Sequence, residues 1–88
     1  MPLPRLVLLT TDACTLCERA LDLLTSMPEL RGLGLDVVDI VEDELLVEQF
    51  GELLPVLTWR DQDGRFGSTL MWPFDAISVS LWLRELEQ

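Results

Sequence analysis

Histidine and lysine are absent from this 88-residue chain, and cysteine occurs only twice. A tetrahedral structural zinc site needs four ligands, and Cys14 and Cys17 supply two. Zinc or an iron-sulfur cluster held by cysteine would therefore have to bridge a dimer. Long apolar runs are lacking too. None exceeds Leu53 to Leu57, far short of the roughly 20 residues that cross a bilayer as a helix. Met1-Pro2-Leu3-Pro4-Arg5 leads into only Leu6-Val7-Leu8-Leu9 before Thr10, too brief for a secretory h-region. The expected compartment is the reducing cytoplasm, which keeps a dithiol in play. Positive charge is scarce, with six arginines against sixteen carboxylates and a formal net charge of -10. Nucleic acid and anionic membrane are poor partners for such a chain. The acidity serves either solubility or a specific basic partner.

What is present begins with size. Residues 1–88 suit one domain, near the lower length at which a hydrophobic core suffices without staples, and the apolar fraction of 49% supports such a core. Both cysteines sit in Cys14-Thr15-Leu16-Cys17, after the apolar run Leu6 to Leu9 and at the head of an amphipathic pattern. Strand, tight loop, C-x-x-C and helix is how a redox dithiol is built. Residues three apart on a helix have Cβ atoms roughly 5–6 Å apart, whereas a disulfide wants about 3.8 Å, so the pair closes only at a helix end. With Cys14 at the first turn, the unpaired N–H groups and the positive dipole end stabilise its thiolate. Cys14 is then the nucleophile and Cys17 its partner. The carboxylates of Asp12 and Glu18 oppose that thiolate, with only Arg19 nearby to compensate. A cross-link between near neighbours removes little unfolded-state entropy, which favours catalysis or sensing over stapling. The bland alternative is two small apolar residues on a helix face.

Along the chain, Cys17, Ala20, Leu21 and Leu24 recur at helical spacing, widened by Leu16, Leu23 and Met27 until Pro28 stops the pattern. Pro28 to Gly34 reads as a loop, and Leu35 to Ile40, rich in β-branched residues, as a second strand. Asp43-Glu44 opens a short helix bearing Leu45, Leu46 and Phe50, with Gly51 as its C-terminal cap. Leu54 to Trp59, the turn Asp61-Gln62-Asp63-Gly64 and Arg65 to Met71 form a hairpin signature. Asp75 caps a last helix whose apolar side carries Ile77, Leu81, Leu83 and Leu86, with Ser78, Ser80, Arg84 and Glu85 toward water. Trp59 and Trp82 read as core or hairpin packing. Phe74, just before the cap, reads as a staple, and Trp72 as either a staple or a platform beside the dithiol. The order is β-α-β-α-β-β-α, an α/β domain with a mixed four-stranded sheet and three helices, its first crossover right-handed.

This order, the N-terminal C-x-x-C and a proline opening the third strand resemble the thioredoxin-fold superfamily, in its glutaredoxin branch. More narrowly, Cys14-Thr15-Leu16-Cys17 as C-x-L-C, Leu54-Pro55-Val56-Leu57 and Trp72-Pro73-Phe74-Asp75 resemble a family of short bacterial glutaredoxin-like proteins. The resemblance covers nearly the whole chain. It implies a cis bond before Pro55, which turns the N–H and C=O of Leu54 toward the active-site sulfur to hold an extended substrate in strand-like pairing. Without it, an ordinary trans proline at a strand start would serve.

The implied activity is thiol-disulfide exchange. Cys14 attacks a disulfide of a protein or small molecule, and Cys17 resolves the mixed disulfide. Leu54, Pro55, Trp72 and Asp75 are the implied substrate-binding residues. In glutaredoxins glutathione resets the pair, and here three departures bear on that: no lysine precedes the motif, Leu54 stands where threonine is common, and Trp72-Pro73-Phe74 replaces a pair of glycines. Asp75 alone matches the residue that accepts the glutathione amino group. Glutathione is thus an open candidate for the reductant, and no tightly bound cofactor is expected. The competing classes are a binding module or redox sensor using the groove near Pro55 and Trp72, and a dimer holding metal between two C-x-x-C pairs.

Overall fold

A computed structural model of the chain describes residues 5–86. The elements are β1 (Arg5–Thr10), α1 (Thr15–Ser26), β2 (Leu35–Asp39), α2 (Glu44–Phe50), β3 (Val56–Arg60), β4 (Leu70–Met71) and α3 (Ala76–Leu86). Short 3-10 turns at Pro28–Leu30 and Ile40–Glu42 interrupt two connections. The expected order of strands and helices is observed. Spatially the sheet runs β2-β1-β3-β4, with β1 parallel to β2 and antiparallel to β3, and β4 antiparallel to β3. It is a mixed four-stranded sheet flanked by three helices.

β1 holds the centre because it is apolar on both faces, and Leu6 to Leu9 are all buried. One face packs Leu6, Leu8 and Leu57 against Ala20 and Leu24 of α1, Val79 and Trp82 of α3, and Phe74. The other packs Val7, Leu9 and Val56 against Ile40 and Phe50, the latter from α2. Each buried leucine or valine contributes about 2 kcal/mol by leaving water, and a continuous apolar strand is the sequence form that both faces require. Among the described residues no helix is long and apolar enough to cross a membrane.

Three expectations differ from the structure. On α3 the buried face is Val79 and Trp82, with Leu83 and Leu86 packed beside them, while Ile77 and Leu81 are 71% and 54% exposed. The cap sets this rotation: Phe74, just before Asp75, and Val79, four residues into the helix, share one core, the arrangement of a hydrophobic staple, and Trp82 follows one turn on. Ser78 and Ser80 are half-buried rather than facing water. They donate to Asp75 and Glu29 respectively.

The second hairpin strand is also shorter than Arg65 to Met71. Only Leu70 and Met71 pair with β3, and Phe66 makes a single bridge to Arg60. Between them the Trp59 ring lies where a Cβ of Gly67 would sit, and the buried Thr58 hydroxyl donates to Ser68 O at 2.9 Å. The regular ladder is interrupted there, one backbone bond, Gly67 N–H to Trp59 O at 2.9 Å, remaining beside the ring contact and the hydroxyl bond. Finally, Gly51 does end α2, but in right-handed conformation (φ -53°, ψ -33°) rather than the left-handed one its residue type permits, and its N–H donates to Val47 O at 2.8 Å.

Candidate functional site

β1 delivers the chain to the site. Its last residue, Thr10, pairs with Asp39 at the end of β2, and Leu9 pairs with Val56 at the start of β3. The loop after β1 and the loop before β3 therefore leave the sheet at the same end. Thr11, Asp12 and Ala13 reverse the chain toward α1, and Ala13 does so at φ +54°, a left-handed conformation uncommon for any residue with a Cβ.

Cys14 follows as the N-cap of α1, in extended conformation (φ -108°, ψ 101°). Because its backbone is not helical, its Sγ turns back over the first turn, where the Cys17 N–H donates to it at 3.1 Å. Asparagine and serine satisfy a helix start in the same way through oxygen. The Cα atoms of Cys14 and Cys17 are 5.2 Å apart and their sulfurs are bonded as a disulfide. Cys17 is only 4% exposed, whereas Cys14 is half-buried. The two cysteines thus differ in burial. The same N–H and the N-terminal end of a 12-residue helix lie at Cys14, a setting that in general favours the thiolate of a free cysteine.

Beside the disulfide lies a shallow cleft of about 190 Å³ whose walls include Thr10, Asp12, Cys14, Glu18, Leu21 and Val37. Glu18 occupies the first turn of α1, Val37 is an exposed residue of the edge strand β2, and Leu21 comes from the second turn. Thr10, Leu21 and Val37 have no signal in the sequence as site residues. They are brought in by strand register and helix phase.

Leu54, Pro55, Trp72 and Asp75 are not part of that wall. Leu54 and Pro55 lead into β3, and Trp72 and Asp75 lie between β4 and α3. The Leu54–Pro55 bond is cis, as is Trp72–Pro73, the second of which nothing in the sequence reading anticipated. Pro55 is buried, and its carbonyl accepts from the Trp72 N–H at 3.3 Å. Leu54 is partly buried against the α2 side of the core. No backbone hydrogen bond among the described residues uses its N–H or C=O. The Trp72 ring packs on the opposite core and meets Phe74 edge to face at 5.1 Å. Asp75 accepts from the Ser78 N–H at 2.8 Å and the Ser78 hydroxyl at 2.9 Å, and these bonds hold its carboxyl below the usual carboxylate range. Trp72 and Phe74 therefore both anchor the start of α3, with Trp72 half-exposed. Among the described residues, no three acidic or thiol side chains gather in a group that could hold a metal ion.

The model of the glutaredoxin-like domain family (DUF836) matches residues 5–84. The X-ray structure of structural-genomics target protein XcR50 from X. campestris is 36% identical and superposes with a TM-score of 0.68, covering 91% of this chain and 96% of that one. The C-terminal domain of DsbD from Neisseria meningitidis, in its oxidised form, superposes at 0.66 with 17% identity over 93% of this chain and 78% of its own. Thioredoxin 1 from Thermosipho africanus TCF52B superposes at 0.62 with 12% identity over 96% and 99%. At those identities the latter two bear on architecture, which is thioredoxin-like. No curated protein matches the chain.

Proposed function

The chain belongs to the glutaredoxin-like domain family, and from that premise we propose that it is a dithiol thiol-disulfide oxidoreductase that reduces disulfides of proteins or small molecules. The single observation that carries this reading is the bonded Cys14–Cys17 pair at the head of α1, with one cysteine half-buried and the other buried. A thioredoxin-like fold with so close a cysteine pair has a redox function in general terms. The direction and chemistry follow from access.

In the reduced protein the Cys14 thiolate attacks one sulfur of a target disulfide, forming a Cys14–target bond and expelling the other target sulfur as thiolate. The Cys17 thiolate then attacks Cys14 Sγ, displaces the first target sulfur and restores the Cys14–Cys17 bond. Two electrons have passed to the target, which leaves as a dithiol after taking up two protons. Two thiol equivalents, or one dithiol, reset the pair by the reverse exchange and leave as a disulfide, and no resident cofactor takes part. The N–H and C=O of Leu54, without a backbone partner among the described residues, lie just before β3 and in this reading serve as a strand-like hold for the target backbone. Pro55 and Trp72 support them, and Asp75 fixes α3 behind them.

The test is single-turnover oxidation of the pre-reduced protein by a peptide disulfide, followed by mass spectrometry after alkylation. Expected are one target disulfide reduced per chain, no reaction for Cys14→Ser, and a trapped Cys14–target adduct for Cys17→Ser. A wild-type dithiol that stays reduced in excess peptide disulfide, or a Cys14→Ser variant as fast as wild type, would overturn the assignment.

A further inference from the structure

The two ends of the sheet differ in charge balance, since the arginines at one end are accompanied by Asp36, Asp61 and Asp63. The loops after β1, after β2 and before β3 open at the dithiol end, as the pairing of Thr10 with Asp39 and of Leu9 with Val56 requires. The loop after β4 joins them, since Met71 pairs with Val56. The connections at that end carry Asp12 before α1, Glu18 in its first turn, Asp39 at the end of β2, Asp43 capping α2, Glu52 between α2 and β3, and Asp75 between β4 and α3. The arginines lie elsewhere. Arg5 and Arg60 face each other at the opposite end of β1 and β3, Arg31 belongs to the turn leading to Gly34, whose carbonyl accepts from Leu6, and Arg65 closes the far hairpin against Asp61. Arg5 is further neutralised by Asp36, at 2.8 and 3.1 Å. Arg84 is in the last turn of α3, away from Asp75. Arg19, in the second turn of α1, is the one arginine near the motif, and it does not line the cleft. The wall of the cleft itself carries two carboxylates, Asp12 and Glu18, and no cation.

Resting on the oxidoreductase reading above, we propose that the dithiol selects disulfides borne on positively charged polypeptide segments. The reactive cysteine makes the site, and the carboxylates around it set the charge of what approaches. At about 150 mM salt the screening length is roughly 8 Å, so Asp12 and Glu18 act on groups adjacent to the attacked sulfur, and the wider acidic end steers the encounter at lower salt. A polypeptide is favoured over a small molecule by shape. The cleft of about 190 Å³ is smaller than the roughly 300–1,000 Å³ of sites that enclose small ligands, and the N–H and C=O of Leu54, without a backbone partner among the described residues, suit an extended chain. Oxidised glutathione, a polyanion, falls on the disfavoured side.

The pre-reduced protein is oxidised in single turnover by homodimeric disulfides of one short cysteine peptide flanked by arginine, glutamine or glutamate, and by cystamine and oxidised glutathione. Each rate is divided by that of dithiothreitol with the same disulfide, which removes differences in intrinsic reactivity. Expected at low salt is a preference of about tenfold or more for the arginine over the glutamine peptide, in the range electrostatic steering supplies, with the glutamate peptide and glutathione slowest. The preference should shrink toward unity at molar salt and narrow in Asp12→Asn/Glu18→Gln. Equal normalised rates across the three peptides would overturn the charge selectivity while leaving disulfide exchange standing. Cystamine reacting as fast as the arginine peptide would overturn the polypeptide assignment. Failure to reduce any disulfide would sink both this inference and the reading beneath it.

Discussion

Ala13 offers the most direct test of how the site is built. The chain must turn from β1 into α1 within three residues, and it does so by placing Ala13 at φ +54°, where an L-residue loses roughly 1–2 kcal/mol to contact between Cβ and the carbonyl oxygen. Glycine escapes that cost but brings roughly 0.5–1 kcal/mol more conformational freedom to the unfolded chain. Ala13 is exposed, so removing its methyl sacrifices little burial. The balance for Ala13→Gly is a stabilisation of about 0.5–1 kcal/mol, or roughly 3–6 °C in melting temperature for a domain of this size. Gly64 is the reciprocal control. It sits at φ +81° with open space where a Cβ would go, so Gly64→Ala isolates the backbone term and should cost about 1 kcal/mol. Both variants are compared with the parent by calorimetry and urea denaturation in the oxidised state. Should Ala13→Gly melt at or below the parent while Gly64→Ala is destabilised, the left-handed turn before Cys14 is not a site of strain and the account of the loop fails.

Other consequences can be checked alongside. Trp82→Ala should cost about 3–5 kcal/mol by emptying the core under α3, whereas Ile77→Ser, on the exposed side of that helix, should stay within about 0.5 kcal/mol of the parent; equal effects in denaturant titrations would contradict the observed rotation. Gly67→Ala drives a methyl into the Trp59 ring and should destabilise by about 1–3 kcal/mol with a change in tryptophan emission, and an unchanged spectrum would argue against that contact. Asp75 has its carboxyl lowered by the Ser78 backbone and hydroxyl bonds, so its contribution is present above the ordinary carboxylate value and disappears as pH falls through the lower folded value. Asp75→Asn should therefore flatten the loss of stability below about pH 4, seen in melting temperature against pH, and an unaltered acid limb would refute the cap's role.

Much of this protein follows from local sequence. The apolar run Leu6 to Leu9 read as a strand ahead of the C-x-x-C helix, Pro28 marked the end of α1, and Asp43 and Asp75 start helices because short carboxylates cap free N–H groups. The C-x-x-C spacing at a helix head placed two sulfurs within bonding reach, since residues three apart meet only where the first is not yet helical. The rotation of α3 was not legible, because leucine and isoleucine occur all around it and the choice between Ile77 and Val79 rests on how Phe74 docks. Nor was the two-residue length of β4, set by Trp59 and Thr58 reaching across to Gly67 and Ser68. The left-handed Ala13 left no trace, since alanine carries no preference for that conformation. The cleft was invisible for a similar reason: Val37 and Leu21 reach Cys14 through parallel pairing of β2 with β1 and the phase of α1, both long-range facts. Chemistry confined to one turn of helix was thus written in neighbouring residues. Which side of the dithiol is open, and what charge surrounds it, depended on strands and loops distant in the chain meeting at one end of the sheet.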